Sequence, residues 1–248
     1  MSEHGWALVT GAGRRIGRAL ALAAAEAGYD VVIHVRASLA DARETLSLVE
    51  ALGRRGQCVT ADLADPDIGA RLIGGAPGPV TLLVNCASQF EDDRIETLEA
   101  EGFDATLAAN LRAPVLLAQA FAAALPPGRE GLIVNITDQR VWRLTPRFFS
   151  YTLSKAALWT ATQTLAQALA PRIRVNAIGP GPTLASVHQA PGDFAAEAAA
   201  VPLGHGASPE ETARALTYLI DAPSVTGQMI AVDGGQHLAW KTPDIIGD

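Results

Sequence analysis

Tyr151 and Lys155 stand four residues apart in the run Tyr151-Thr152-Leu153-Ser154-Lys155, a spacing that puts both side chains on one helix face. An ammonium held beside a phenol can pull the phenol below its usual pKa of about 10 and can also hold a sugar hydroxyl, leaving the tyrosine poised to donate a proton near neutral pH. Asp138 lies thirteen residues before that tyrosine and closes the apolar run Leu132-Ile133-Val134-Asn135-Ile136. A carboxyl at the end of a strand can share in proton delivery, or it can simply cap the next turn of chain. Tyr-xxx-Lys also arises by chance in many helices, so the pair gains meaning only from its company.

That company begins at Thr10-Gly11-Ala12-Gly13-Arg14-Arg15-Ile16-Gly17, directly after an apolar run. A glycine-rich turn between a first strand and a first helix lets backbone amides and the helix N-terminus approach a pyrophosphate; elsewhere in a chain it can be no more than a tight connection. The second apolar run ends His34-Val35-Arg36-Ala37-Ser38 without a carboxylate, since Asp30 begins it and Asp41 falls inside the next helix. Binders of NAD place an acid at that end to accept the ribose hydroxyls, whereas a 2′-phosphate calls for cations. Arg15 and Arg36 can meet such a phosphate with charge-assisted forks, Ser38 can add a hydroxyl, and NADPH is the expected cofactor. The alternative for either arginine is a solvated helix start.

The positioning elements follow from periodicity. Runs rich in Val, Ile and Leu alternate with Ala-rich segments of helical period, the βαβ signature of a parallel sheet covered by helices on both faces, and the fold class is α/β. Strands are expected near 5–9, 30–35, 56–61, 80–84, 131–136, 173–177 and 228–232, and helices over 15–28, 39–53, 97–109, 111–125, 150–169 and 209–221. Gly28 fits a helix stop and Ser208-Pro209-Glu210-Glu211 a capped start. The segment from 179 to 206 holds four prolines and no clear strand, as in a lid over a site, with Phe194–Ala200 able to form a short helix in it.

At 248 residues and 49% hydrophobic the chain can bury one large core, so one domain spanning 1–248 is expected. The apolar stretches are Ala-rich, interrupted and shorter than the ~20 residues a bilayer needs, and no membrane span is expected. The start Met1-Ser2-Glu3-His4 carries no basic segment followed by an apolar one, so the cytoplasm is the expected location. Cys58 and Cys86 fall in or beside apolar runs, where small buried thiols fit better than a disulfide or a metal ligand. A net charge of −7 argues against nucleic acid, and the local cluster Arg14, Arg15 and Arg18 suits a phosphate on a small ligand.

Taken together, the glycine turn, Asn85-Cys86-Ala87-Ser88, and Tyr151 with Lys155 resemble the short-chain dehydrogenase/reductase family over almost the whole chain. Most of that family carries Ser where Asp138 stands and a glycine where Arg15 stands. An acid and an arginine at these two places resemble its pteridine reductases and their dihydropterin- and dihydrofolate-reducing relatives. The resemblance implies a Rossmann-type doubly wound sheet of order 3-2-1-4-5-6-7 and a homotetramer. It further implies that Gly11, Arg14, Arg15 and Ile16 hold the cofactor's phosphates, with His34, Arg36, Ala37 and Ser38 beside the 2′-phosphate and Asp62 and Leu63 around the adenine. Asn85, Ala87 and Ser88 would admit the cofactor backbone, and Pro180, Gly181 and Thr183 would orient the nicotinamide carboxamide above Tyr151. Asn110 would support Lys155 through a water relay, although a polar residue there can also cap or kink a helix. Phe90 would stack a pterin, with Ser88, Asp138 and Tyr151 as its other neighbours; otherwise a loop Phe is a minor core anchor. Arg140, Trp142, Arg143 and Arg147 can contact a substrate tail or line an oligomer contact. The expected activity is NADPH-dependent reduction of a pterin C=N bond, with ketone reduction as the alternative.

Overall fold

The structure, a computed structural model, describes residues 4–185 and 192–240. The Val- and Ile-rich runs form seven strands: β1 (Trp6–Thr10), β2 (Asp30–Val35), β3 (Gly56–Thr60), β4 (Val80–Asn85), β5 (Gly131–Ile136), β6 (Ile173–Pro180) and β7 (Met229–Val232). They pair in parallel as β3-β2-β1-β4-β5-β6-β7. Every residue of β1, β2, β4 and β5 is buried, as expected for parallel strands covered on both faces, whose sequences are largely apolar rather than alternating. Strand order reverses between β1 and β4, and that switch point opens a crevice beyond the carboxyl ends of the strands.

Helices α1 (Arg15–Glu26), α2 (Leu39–Ala51) and α8 (Pro209–Asp221) cover one face, where Leu20, Ala24, Leu216 and Leu219 pack on Val9, Ile33 and Val84. Helices α3 (Ile68–Gly74), α5 (Ala113–Ala124) and α6 (Phe149–Leu169) cover the other, through Leu72, Leu117, Ala118 and Phe121. The start of α8 is a closed capping box: Ser208 Oγ accepts from Glu211 N at 3.2 Å, and Glu211 Oε2 accepts from Ser208 N at 2.8 Å. Helix α4 (Ala100–Leu107) runs into α5 through a π turn, Ala108–Arg112, making one helix from Ala100 to Ala124. By length and composition alone that helix can cross a bilayer, but its inner side lies in the core, where Leu117, Ala118 and Phe121 are fully buried.

Two differences from the sequence reading have local causes. Helix α3 is absent from the expected set because its glycines lower helix propensity. Gly69 is there for packing, since a Cβ would lie 2.8 Å from Leu116 O of α5. Strand β6 runs past its expected end at 177 because Ile178, Gly179 and Pro180 pair with β7. Within the segment 179–206, a short α7 (Asp193–Ala199) forms as anticipated, and residues 186–191 lie outside the described residues.

Candidate active site

The carboxyl ends of the strands open on one cavity of about 1610 Å³. At its phosphate end, Gly11 and Gly17 have to be glycine. Gly11 is left-handed, φ +67°, and a Cβ would lie 2.9 Å from Ala87 Cα; a Cβ on Gly17 would meet Gly11 O at 2.1 Å. Arg14, the N-cap of α1, places no side-chain cap on the helix, so the first amides of α1 keep their donors for a ligand in the cavity that Gly11, Gly13, Arg14, Arg15 and Ile16 line. The wall continues through Arg36, Ala37 and Ser38, then Asp62 and Leu63, then Ala87 and Ser88, and across the cleft Pro180, Gly181 and Thr183. A pyrophosphate, a charged ribose phosphate and two flat ring systems fit this sequence of donors and walls. Thr10, which sequence reasoning passed over, braces the cleft: its hydroxyl accepts from Cys86 N at 2.9 Å and Ala87 N at 3.1 Å.

Four expected residues make contacts that their places in the sequence do not announce. Arg15, at the glycine position of the turn, adopts φ +56° and sends its guanidinium across the cleft, donating to Ala185 O at 2.8 Å and Leu184 O at 3.1 Å. The left-handed backbone costs a non-glycine residue about 1 kcal/mol. His34 lines the cavity, but its Nδ1 faces Gly11 N and its Nε2 faces Ala61 O. Asn85 is not on the cavity wall: its Nδ2 donates to Asn135 Oδ1 at 2.8 Å between neighbouring strands. Asn110, wholly buried in the π turn, donates to Ser154 Oγ at 3.0 Å and Gln89 O at 2.9 Å and accepts from Gln89 N at 2.8 Å and Ser88 Oγ at 3.2 Å. It fastens the 88–89 loop to α6.

At the other end of the cavity, α6 delivers Tyr151 and Lys155 as their spacing predicts. Tyr151 Oη donates to Asp138 Oδ2 at 2.8 Å. Lys155 Nζ donates to Ile136 O at 2.8 Å and lies 5.6 Å from the Tyr151 ring centre. Asp138 does cap the turn after β5, its Oδ1 accepting from Arg140 N at 2.8 Å; its Oδ2 meanwhile meets both Tyr151 and the Arg140 guanidinium, the latter at 3.2 Å. Capping and proximity to Tyr151 are therefore not alternatives. Three donors converge on Asp138.

Phe90 stacks on Phe148, centres 4.4 Å apart and planes 15° apart, and meets the Tyr151 ring edge-on at 4.7 Å. The Arg140 guanidinium lies 5.7 Å from the Phe90 ring and 5.2 Å from that of Phe148. Phe148 is the second non-glycine residue with a positive φ, +54°, at the entry to α6. Asp93 holds that entry by accepting from Ser150 N and Ser150 Oγ. The pair Phe148-Phe149 ahead of the tyrosine was the sequence's signal for the half of this wall that Phe148 supplies. Of the basic residues after β5, Arg147 pairs with Asp92, Arg143 donates to Gln236 O at 3.3 Å, and Trp142 packs edge-on against Trp159.

The electrostatics reverse one expectation. Burial, followed by the Asp138 carboxylate, pushes the Tyr151 phenol well above its ordinary pKa; Arg140 opposes the rise, and Lys155 does not govern it. Burial also lowers Lys155 to about 8. The tyrosine thus stays a protonated donor, and its ionisation requires compensation. Burial raises the Cys86 thiol to about 12, which leaves it without nucleophilic chemistry. No cluster of metal-ligating side chains occurs among the described residues.

A parallel sheet with a glycine turn at its switch point and a Tyr/Lys pair over the same crevice defines a nucleotide-binding oxidoreductase architecture. The comparisons agree. The family described as enoyl-(acyl carrier protein) reductase matches residues 11–237. A short-chain type dehydrogenase/reductase of Picea abies is 33% identical, with 93% of this chain and 91% of the relative covered. L-xylulose reductase of Bos taurus is 36% identical, with 92% and 95% covered. Among solved structures, the FolM alternative dihydrofolate reductase 1 of Brucella canis, complexed with NADP, superposes with a TM-score of 0.94 at 48% identity, covering 99% of this chain and 98% of that one. The chain belongs to the short-chain dehydrogenase/reductase family.

Proposed function

We propose that the protein reduces a C=N bond of a pterin or dihydropterin, dihydrofolate included, with NADPH. The observation that carries this reading is the 2.8 Å hydrogen bond from Tyr151 Oη to Asp138 Oδ2, set beneath the Phe90–Phe148 stack. The likeness to a dihydrofolate reductase solved with NADP supports both the substrate class and the cofactor. NADPH, when bound, supplies the hydride. The glycine turn and the uncapped start of α1 hold its pyrophosphate, Arg36 and Ser38 its 2′-phosphate, Asp62 and Leu63 its adenine, Lys155 its ribose, and the Pro180–Thr183 segment its carboxamide.

Hydride to a ring carbon requires a proton on the neighbouring nitrogen. Tyr151 Oη gives it, and the Asp138 carboxylate, which accepts from that hydroxyl, also accepts from the N–H donors of the pterin edge. Loss of the tyrosine proton would leave two negative oxygens side by side. Lys155 and Arg140 supply the two opposing charges, so the ionised site sums to zero. Serine in place of Asp138 can orient a carbonyl but cannot hold the second negative charge. Phe90 and Phe148 offer a flat apolar wall to a flat heterocycle.

A ketone reductase is the second reading, favoured by relatives such as L-xylulose reductase. Turnover of biopterin, dihydrobiopterin, dihydromonapterin and dihydrofolate against a set of ketones, all with NADPH, separates the two: pterin turnover should exceed ketone turnover, and the reverse selects the second. We also propose a cytoplasmic homotetramer, consistent with the unpaired Cys58 and Cys86 and with the exposed Leu238 and Trp240, to be checked by light scattering.

A further inference from the structure

Among the described residues, His34 is the one imidazole buried at the cofactor end of the cleft, 1% exposed, and the proposed chemistry gives it no task. Its main chain and its ring both grip the glycine turn. His34 O accepts from Ala12 N at 3.0 Å, while ring Nδ1 lies 3.4 Å from Gly11 N. On the far side of the ring, Nε2 lies 3.1 Å from Ala61 O, just past β3. Only one neutral tautomer satisfies both ring contacts. Nε2 must carry the proton to donate to the Ala61 carbonyl, and Nδ1 must carry a lone pair to accept from the Gly11 amide. The ring therefore ties the ends of β1, β2 and β3 together at the point where the turn receives a pyrophosphate, and it has no nitrogen left for the cofactor itself.

We infer that His34 is a positioning residue: its neutral imidazole sets the glycine turn in the shape that accepts the dinucleotide, and protonation at Nδ1 withdraws the acceptor from Gly11 and opens the turn. An imidazolium would turn a second N–H toward the Gly11 N–H, leaving a buried donor unsatisfied and a like dipole against it. Two charged groups face the ring, Asp62 from the segment after β3 and Arg71 from α3. Burial holds the ring neutral against the Ala61 carbonyl and Asp62, which favour the imidazolium, and Arg71 opposes the imidazolium as burial does. Cofactor affinity accordingly depends on a group that never touches the cofactor. The inference rests on the NADPH-binding reading proposed above.

The test uses the full-length protein and NADPH fluorescence titration from pH 5 to 8, with His34→Asn, His34→Gln and His34→Leu. An Asn amide reaches only the place of Nδ1 and can keep an acceptor for Gly11; a Gln amide reaches only the place of Nε2. At pH 8, His34→Asn should bind NADPH within about threefold of the wild type, and His34→Gln and His34→Leu roughly tenfold more weakly, the cost of an unsatisfied buried amide. Below pH 6 the wild type should lose affinity more steeply than His34→Asn. The 2′-phosphate also titrates in this range, but it does so alike in both proteins, so only their difference reports His34. Equal pH profiles in wild type and His34→Asn overturn the inference, as does unchanged affinity in His34→Gln. Should His34→Leu fail to fold, the Asn and Gln pair still decides. A wild type that binds no NADPH at any pH refutes the cofactor reading instead.

Discussion

Replacing Asp138 by serine separates the substrate chemistry from everything else in the cleft. Three donors converge on this carboxylate: Tyr151 Oη at 2.8 Å, Arg140 N at 2.8 Å and Arg140 Nη1 at 3.2 Å. Serine is a good cap and keeps the Arg140 amide bond, so the turn after β5 survives. The losses are the partner of Tyr151 and the counter-charge of Arg140. A positioned proton-transfer group contributes about 10²- to 10⁴-fold, equivalent to roughly 2.7–5.4 kcal/mol of transition-state stabilisation, and kcat for dihydrobiopterin should fall within that range. The ion pair is partly open to the cleft, so its loss should cost about 1 kcal/mol and lower Tm by roughly 2–4 °C. The glycine turn and Lys155 are untouched, and the NADPH Kd should change by less than about threefold. Steady-state NADPH oxidation, fluorescence titration and thermal unfolding measure the three quantities. Tyr151→Phe should impair turnover to a comparable degree. Unchanged pterin turnover in Asp138→Ser would reduce the acid to a cap and leave the ketone reductase as the better reading.

Arg36→Asp should move cofactor preference toward NADH, because it removes a cation from the 2′-phosphate and restores an acceptor for the ribose hydroxyl; equal kcat/KM for the two cofactors in the wild type would remove this claim. Arg15→Gly should alter that preference far less, since the Arg15 guanidinium bonds Leu184 O and Ala185 O, and relief of the left-handed backbone should offset about 1 kcal/mol of the lost bonds, readable as nearly unchanged Tm. With Lys155 lowered to about 8, kcat/KM for pterin reduction should fall as pH rises above 8 and the ammonium is lost. For stability the sign is opposite: between about 8 and the ordinary lysine value the unfolded chain binds more protons, so the Lys155 contribution rises with pH across that window and is at its least favourable below 8. A Lys155→Met variant should lack both dependences, as pH-rate profiles and denaturant titrations can show.

The seven strands, the glycine turn and the Tyr151/Lys155 pair were legible in the sequence because each is local: a parallel strand buried on both faces is largely apolar along its length, and four residues make about one helical turn. The missing acid at the end of β2 was legible for the same reason, as a residue type at a fixed place after a strand. What only the tertiary structure decided depends on groups far apart in the chain. Arg15 finds its carbonyl partners 170 and 169 residues away, and no spacing rule reaches across a cleft. His34 meets Gly11 and Ala61 because three strands end side by side, Asn110 meets Ser154 and Gln89 because a π turn aims it there, and Phe148 faces Phe90 because α6 starts from a left-handed residue. The direction of the Tyr151 shift belongs to the same class. From spacing, Lys155 is its nearest charge; in the fold, desolvation and the Asp138 carboxylate outweigh that ammonium, because a titration answers to everything packed around the group and not to its neighbours in sequence.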